Sequence, residues 1–159
     1  MKKGIVLFII AVVILYFTFN CFFCKKPESP VKATQTSFLY DETNRMRKEN
    51  GIDLLKYSQE LERSATVKAC DLRDRNYWAH QAPDGQMSWH LFNEAGYYYI
   101  FAGENLARNL PDEKIIGAFM ESPTHRANVL GKQFDDLGIG KCGRFVVFHF
   151  GRSQNEKSL

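Results

Sequence analysis

The sequence predicts an α+β domain with an antiparallel sheet, carried behind an apolar leader. Three observations predict it. Helical and strand-like stretches do not alternate in the rhythm that builds a parallel sheet. Two clear strand runs, Leu137 to Gly140 and Arg144 to Phe150, follow one another across a short turn. About 130 residues remain after the leader, enough for one domain with a real core.

The leader comes first. Gly4 to Cys24 is apolar apart from Thr18 and Asn20 and spans 21 positions. A helix needs roughly 20 to cross a bilayer. Lys2 and Lys3 precede it, and no small-x-small cleavage site follows. Residues 1–25 are therefore expected to be an uncleaved, single-pass signal anchor, with the body on the extracytoplasmic side. Lys25 and Lys26 offset the N-terminal lysines in setting that orientation. A lipoprotein anchored at Cys21, a secreted form and a buried core helix are the alternatives. Residues 26–37, with Pro27, Ser29 and Pro30, read as a linker holding the body off the membrane.

The body then reads in order. Phe38 to Asn50 is a helix with Gly51 as its C-cap. Leu54 to Arg75 is a second helix, because Leu54, Leu61, Ala65, Ala69 and Leu72 recur at helical spacing. Pro83-Asp84-Gly85 is a turn. Ser88 to Ala95 is a short helix ending at Gly96. Tyr97 to Phe101 suits a strand. Pro111 to about Glu121 is a helix whose acids sit at its positive end. Ser122-Pro123 caps a shorter one through about Leu130. Lys141-Cys142-Gly143 joins the two final strands. Residues 38–152 make the domain and 153–159 a tail.

Charge narrows the partners. The chain holds 21 Lys+Arg against 18 Asp+Glu, a net +3. Residues 1–30 hold four bases and one acid, so the whole +3 belongs there, and the body sums to zero. A neutral body without a basic run argues against nucleic acid.

No HExxH, GxSxG, Walker or GxGxxG motif occurs. What remains is a distributed set: His80-x-x-Pro83-Asp84-Gly85, Ala95-Gly96-Tyr97, Gly103-Glu104-Asn105, and Ser122-Pro123-x-His125-Arg126-x-Asn128. An opening Asn44-x-x-Arg47-x-x-x-Gly51 and a closing Phe134-x-x-Leu137-Gly138-Ile139-Gly140 frame it. Together these resemble the CAP domain (cysteine-rich secretory/antigen 5/pathogenesis-related superfamily), in its bacterial, spore-coat-like branch, over about residues 38–151. The resemblance implies an α-β-α sandwich, with a small antiparallel sheet between helical layers. It also implies a cavity over two histidines and two acids. His80, Glu104 and His125 carry over. The second acid does not: Ser122 occupies its slot, Glu121 is one position off, and Phe119 stands where the family has Trp.

Three chemistries are open to this set. His80, His125 and Glu104 are a candidate Zn²⁺ site with a position left for water. Equally, Glu104 accepting from either imidazole would simply satisfy a buried polar cluster. Metal-assisted hydrolysis is the third, but no activated nucleophile and no third firm ligand stand out, which weighs against an enzyme. The expected partner is thus the membrane through the leader, plus a lipid, cell-wall component or protein ligand. His149 alternates with its neighbours in the last strand and is expected on a sheet face, and His90 at or near the surface. Asn105 is expected to tie loop backbone, and Arg126 and Asn128 to support their box. Tyr97, Tyr98, Tyr99 and Phe101 either pack a core strand or line a lipid groove.

Cys70 and Cys142 are the body's only thiols, and an extracytoplasmic body permits a bridge between them. Two free thiols are the alternative. Cys21 and Cys24 form a CxxC inside or against the membrane, where redox or zinc chemistry is not expected.

Overall fold

The structure, a computed structural model, describes residues 34–154. The leader, most of the expected linker and the last five residues lie outside them. In chain order the elements are α1 (Thr34–Glu49), β1 (Lys56–Tyr57), α2 (Gln59–Asp74), α3 (Trp89–Glu94) and β2 (Tyr99–Arg108). Then follow α4 (Asp112–Glu121), α5 (Pro123–Val129), β3 (Asp136–Cys142) and β4 (Phe145–Ser153). Among these residues no helix is long and apolar enough to cross a membrane.

One four-stranded sheet runs in the order β1-β3-β4-β2. β4 is antiparallel to both β2 and β3. β1 is parallel to β3, with Lys56 opposite Asp136, so the sheet is mixed and not purely antiparallel as expected. The reason lies at Ser58. Leu54 and Leu55 extend the apolar pattern of α2, but Ser58 is extended (φ −119, ψ 121) and its hydroxyl accepts from Leu61 N–H. That cap starts the helix at Gln59. The freed residues pair instead: Lys56 N–H donates to Asp135 O (2.7 Å) and Ser58 N–H to Leu137 O (3.0 Å).

The alternation of β4 builds two cores. Val146, Phe148 and Phe150 face α1, α4 and α5, clustering with Leu39, Ile115, Phe119 and Val129. Phe145 and Val147 face α2, clustering with Ala65, Ala69 and Leu72. Helices thus cover both faces of the sheet. Each fully buried Leu, Ile or Phe stabilises this arrangement by roughly 1.5–3 kcal/mol.

α2 lies unusually close to β3. A Cβ at Gly138 would come within 2.1 Å of Glu62 N, and one at Gly140 within 2.1 Å of Thr66 N. The Leu137-Gly138-Ile139-Gly140 box is therefore a backbone seat for α2. At the far end of that contact Cys70 is bonded to Cys142, with Cα atoms 5.0 Å apart. The expected bridge is present.

The opening box also has a mechanical reading. Asn44 donates to Leu55 O (3.0 Å) and accepts from Leu55 N–H (2.8 Å). Arg47, 1% exposed, donates to the carbonyls of Asp53, Val129, Gly131 and Phe134.

Four further boundaries differ from expectation. α1 begins at Thr34, so residues 34–37 are helix and not linker. β2 starts at Tyr99 and runs through the Gly103-Glu104-Asn105 box, which sequence polarity had placed in a loop. β3 extends through Cys142, leaving Gly143 (φ +59) and Arg144 as the turn. β4 runs to Ser153. The 83–85 turn is as expected: Gly85 N–H donates to Ala82 O (2.9 Å) and Ala82 N–H to Gln86 O (2.8 Å).

Candidate functional site

Glu104 lies in β2 directly opposite His149 of β4. Its carboxylate is 1% exposed and both oxygens are engaged. His149 Nε2 is 2.9 Å from Oε2, and His80 Nδ1 is 2.6 Å from Oε1. Burial pushes the Glu104 carboxyl up, but the hydrogen bonds from His149 and His80 outweigh it and hold it at about 2. At neutral pH it is a pure acceptor, so both imidazole nitrogens facing it carry hydrogen. His80 therefore has its Nδ1–H turned inward. Its side chain is 52% exposed, which leaves Nε2 as the nitrogen available to solvent.

His149 is the residue that sequence reasoning missed as a member of the cluster. It is fully buried, and burial pushes its pKa down against the pull of Glu104. The neutral ring donates from Nε2 and accepts at Nδ1, where the Ser64 hydroxyl lies 2.7 Å away. Phe92 packs on the ring at 4.5 Å. The signal in the sequence was its place on the α2 face of β4, in step with Val147 and Phe145. The chain Ser64–His149–Glu104 has the residue types of a hydrolase triad. Ser64 is 1% exposed, however, and its hydroxyl also faces Leu61 O (2.9 Å), so it cannot meet a substrate.

The loop that carries His80 is pinned from behind. Its carbonyl accepts from Lys68 Nζ (2.7 Å) and Ser88 Oγ (3.3 Å). Lys68 is 2% exposed and also donates to Tyr77 OH (3.0 Å), which in turn donates to Asp71 (2.5 Å). Burial lowers the Lys68 pKa, opposed by Glu104 and Asp71. Behind this loop lies a cavity of about 100 Å³ lined by Lys68, Asp71, Tyr77, Ser88 and His90 among others. His80, Glu104 and His125 do not line it.

His125 comes from α5. Its ring is half-buried against Phe119 (5.1 Å), the residue in the family's Trp position. Burial lowers its pKa, and the neighbouring His80 lowers it further, so the ring is neutral. No hydrogen bond joins it to Glu104. The two boxes are joined instead by asparagines. Asn105 donates to His125 O (3.0 Å), and Asn128 donates to Asn105 Oδ1 (2.8 Å) and Glu104 O (3.1 Å). Ser122 caps α5 in backbone only, its hydroxyl lying 3.3 Å from Thr124 Oγ1. Glu121 and Arg126 are exposed. The aromatic run is split: Tyr97 is buried and bonds Asp136 (2.6 Å), while Tyr98 and Phe101 are exposed.

A zinc site needs three protein donors and an open position. Here both Glu104 oxygens are held by imidazole N–H groups. Among the described residues no group of three or more His, Cys, Asp or Glu is placed to hold a metal. In this arrangement His80, Glu104 and His125 do not fit a three-ligand site.

The model of the cysteine-rich secretory protein family (CAP) matches residues 40–146. The chain belongs to that family. YkwD of Bacillus subtilis is 34% identical over 99 residues, which cover 62% of this chain and 38% of YkwD. The B. subtilis membrane protein YlbC is 24% identical over 121 residues, 76% of this chain and 35% of that one. Among solved structures, an extracellular protein of Bacillus anthracis containing an SCP domain superposes with a TM-score of 0.72 at 27% identity. That match covers 81% of this CAP chain and 45% of the other. The chain thus spans less than half the length of each of these relatives.

Proposed function

We propose that this chain is a membrane-tethered, extracytoplasmic CAP domain that binds an envelope ligand at the His80–His125 surface. One observation carries the binding reading. Glu104 spends neither oxygen outward: it fixes His80 Nδ1–H inward and presents Nε2 to solvent beside a neutral His125. That is a preset hydrogen-bonding face without a reachable nucleophile. The tether rests on the apolar run Gly4 to Cys24, and the extracytoplasmic side on the Cys70–Cys142 bridge, of a kind that forms and persists in oxidising compartments and is rare in the cytosol. The naming of YlbC as a membrane protein and of the B. anthracis relative as extracellular agrees with this.

Two measurements test it. Protease added to intact cells should remove the body while Gly4–Cys24 stays with the membrane; a protected body would reject the location. Lipid, glycan and surface-extract fractions screened on the purified chain should yield a ligand that His80→Ala weakens tenfold or more. A folded body that retains nothing would reject the binding role.

The second reading is a metal-dependent hydrolase using His80, Glu104 and His125. The observation in its favour is the pair of neighbouring imidazoles with His80 Nε2 free to ligate. It requires the site to rearrange. Turnover that needs added zinc and disappears in His80→Ala and His125→Ala, with melting unchanged, would establish it.

A further inference from the structure

The end of the sheet that carries the disulfide bears an exposed indole flanked by arginines. Trp78 is 41% exposed yet held in place. Its ring lies 6.0 Å from Phe145, and the Arg108 guanidinium sits 4.8 Å above it. Arg144 covers Phe145 from the β3–β4 turn at 5.3 Å. Asn109 N–H donates to Arg144 O (3.1 Å), which fixes the two arginine-bearing segments side by side. Leu110, 40% exposed, follows directly. Of the acids close by in the chain, Asp74 is paired with Arg73 (2.6 Å) and Asp112 with Lys141 (2.6 Å), while Glu113 lies exposed in the first turn of α4. Arg108 and Arg144 have no acidic partner among the described residues. Two unneutralised guanidiniums around an indole and a leucine combine charge attraction to phosphate with an amphipathic ring suited to the headgroup layer.

We propose that this Trp78–Leu110–Arg108–Arg144 surface is where the body rests on an anionic phospholipid membrane. The proposal rests on the tethered reading above and adds which face meets the lipid. One further fact supports it. The ten links from Cys24 to Thr34 reach at most about 36 Å, so a tethered body stays within reach of the headgroups.

The chain has two tryptophans, so Trp89→Phe leaves Trp78 as sole reporter. The full chain with that change is reconstituted into phosphatidylcholine vesicles, with or without phosphatidylglycerol, doped with acyl-brominated lipid. Flotation reads the tether, and Trp78 quenching reads the face. The expected result is flotation in both, with quenching strong only in the anionic vesicles and reduced by salt. Arg108→Gln with Arg144→Gln should cut quenching at least about fivefold, with flotation and melting temperature retained. A chain that floats while Trp78 is equally unquenched in both vesicles overturns this inference alone. A chain that does not float overturns the tether and this inference together. If a soluble glycerol-phosphate polymer shifts Trp78 emission and vesicles do not, the surface reads a polymer and the membrane assignment fails.

Discussion

Glu104 and His149 face each other across the β2–β4 ladder and share a 2.9 Å hydrogen bond where neither side chain is more than 1% exposed. An ionised carboxylate in such a place is tolerable only while both its oxygens are held. Replacing His149 by Leu should leave Oε2 unpaired and cost about 2–4 kcal/mol. His149→Gln, which keeps an N–H donor, should cost less than half as much. Urea titration of the two variants measures the difference. Equal losses would mean that the ring matters for packing on Phe92 and not for its hydrogen bond.

The same pair predicts acid sensitivity in two windows. His149 has a folded pKa pushed below its usual 6.5. Glu104 has one lowered from 4.5 to about 2. In both, the unfolded chain binds protons first, so stability is fully present above the unfolded value and is lost as pH falls. The urea midpoint should begin to fall below about pH 6.5 and fall again between 4.5 and 2. The Glu104 part is on the order of 3 kcal/mol. His149→Gln should shrink the upper window to the share of His125, whose pKa is also lowered, and keep the lower one. A midpoint constant from pH 7 to 4 in the unmodified chain would refute the neutral assignment of His149.

How much of this could be read beforehand varied by residue. Gly103-Glu104-Asn105 and Ser122 to Asn128, which holds His125, were legible as short boxes in a fixed order, and His80 with them. His149 was not, because a polar residue in a strand gives only its face, and what it meets there depends on register across 45 residues of sequence. Ser58 was hidden by the leucines before it: helical periodicity continued through Leu54 and Leu55, and only the cap geometry ended it. β1 was too short to leave any alternation. The disulfide was legible as a pair, because Cys70 and Cys142 were the only body thiols, while their approach needed α2 to lie on β3.

That approach is itself testable. Gly140→Ala places a methyl 2.1 Å from Thr66 N and 2.2 Å from Ala65 C, all backbone atoms. α2 must shift as a unit to admit it. The expected loss is about 2–3 kcal/mol or more, with Gly138→Ala similar. Gly117→Ala, on α4 with nothing within 4 Å, is the control and should be neutral or slightly stabilising. Thermal melts of the three settle the order.

Reduction of the Cys70–Cys142 bridge should destabilise without unfolding. It closes a loop of 72 residues, and constraining such a loop is worth about 4 kcal/mol in the chain-entropy model. Cys70→Ala with Cys142→Ala should lower the urea midpoint accordingly and make it insensitive to dithiothreitol. A midpoint that dithiothreitol leaves unmoved in the unmodified chain would show that the bridge is not formed.

Arg47 makes the last prediction, and its direction depends on geometry more than on charge. Its guanidinium reaches four carbonyls, from the last residue of α5 and from two loops, two of them through one nitrogen. Burial lowers its pKa, with Asp135 and Asp53 opposing that, yet an arginine stays charged. Lysine has the charge but only one nitrogen, so Arg47→Lys abandons at least two of these carbonyls. Unpaired buried carbonyls cost about 1–3 kcal/mol each where water cannot replace the donor. Arg47→Lys should therefore lose about 2–4 kcal/mol, and Arg47→Met no less. Hydrogen exchange should speed up at the end of α5 and in the segment that joins it to β3, where three of the four carbonyls lie, before it changes in β4. A lysine variant as stable as the parent would mean that charge, and not the fork of donors, is what the loops require.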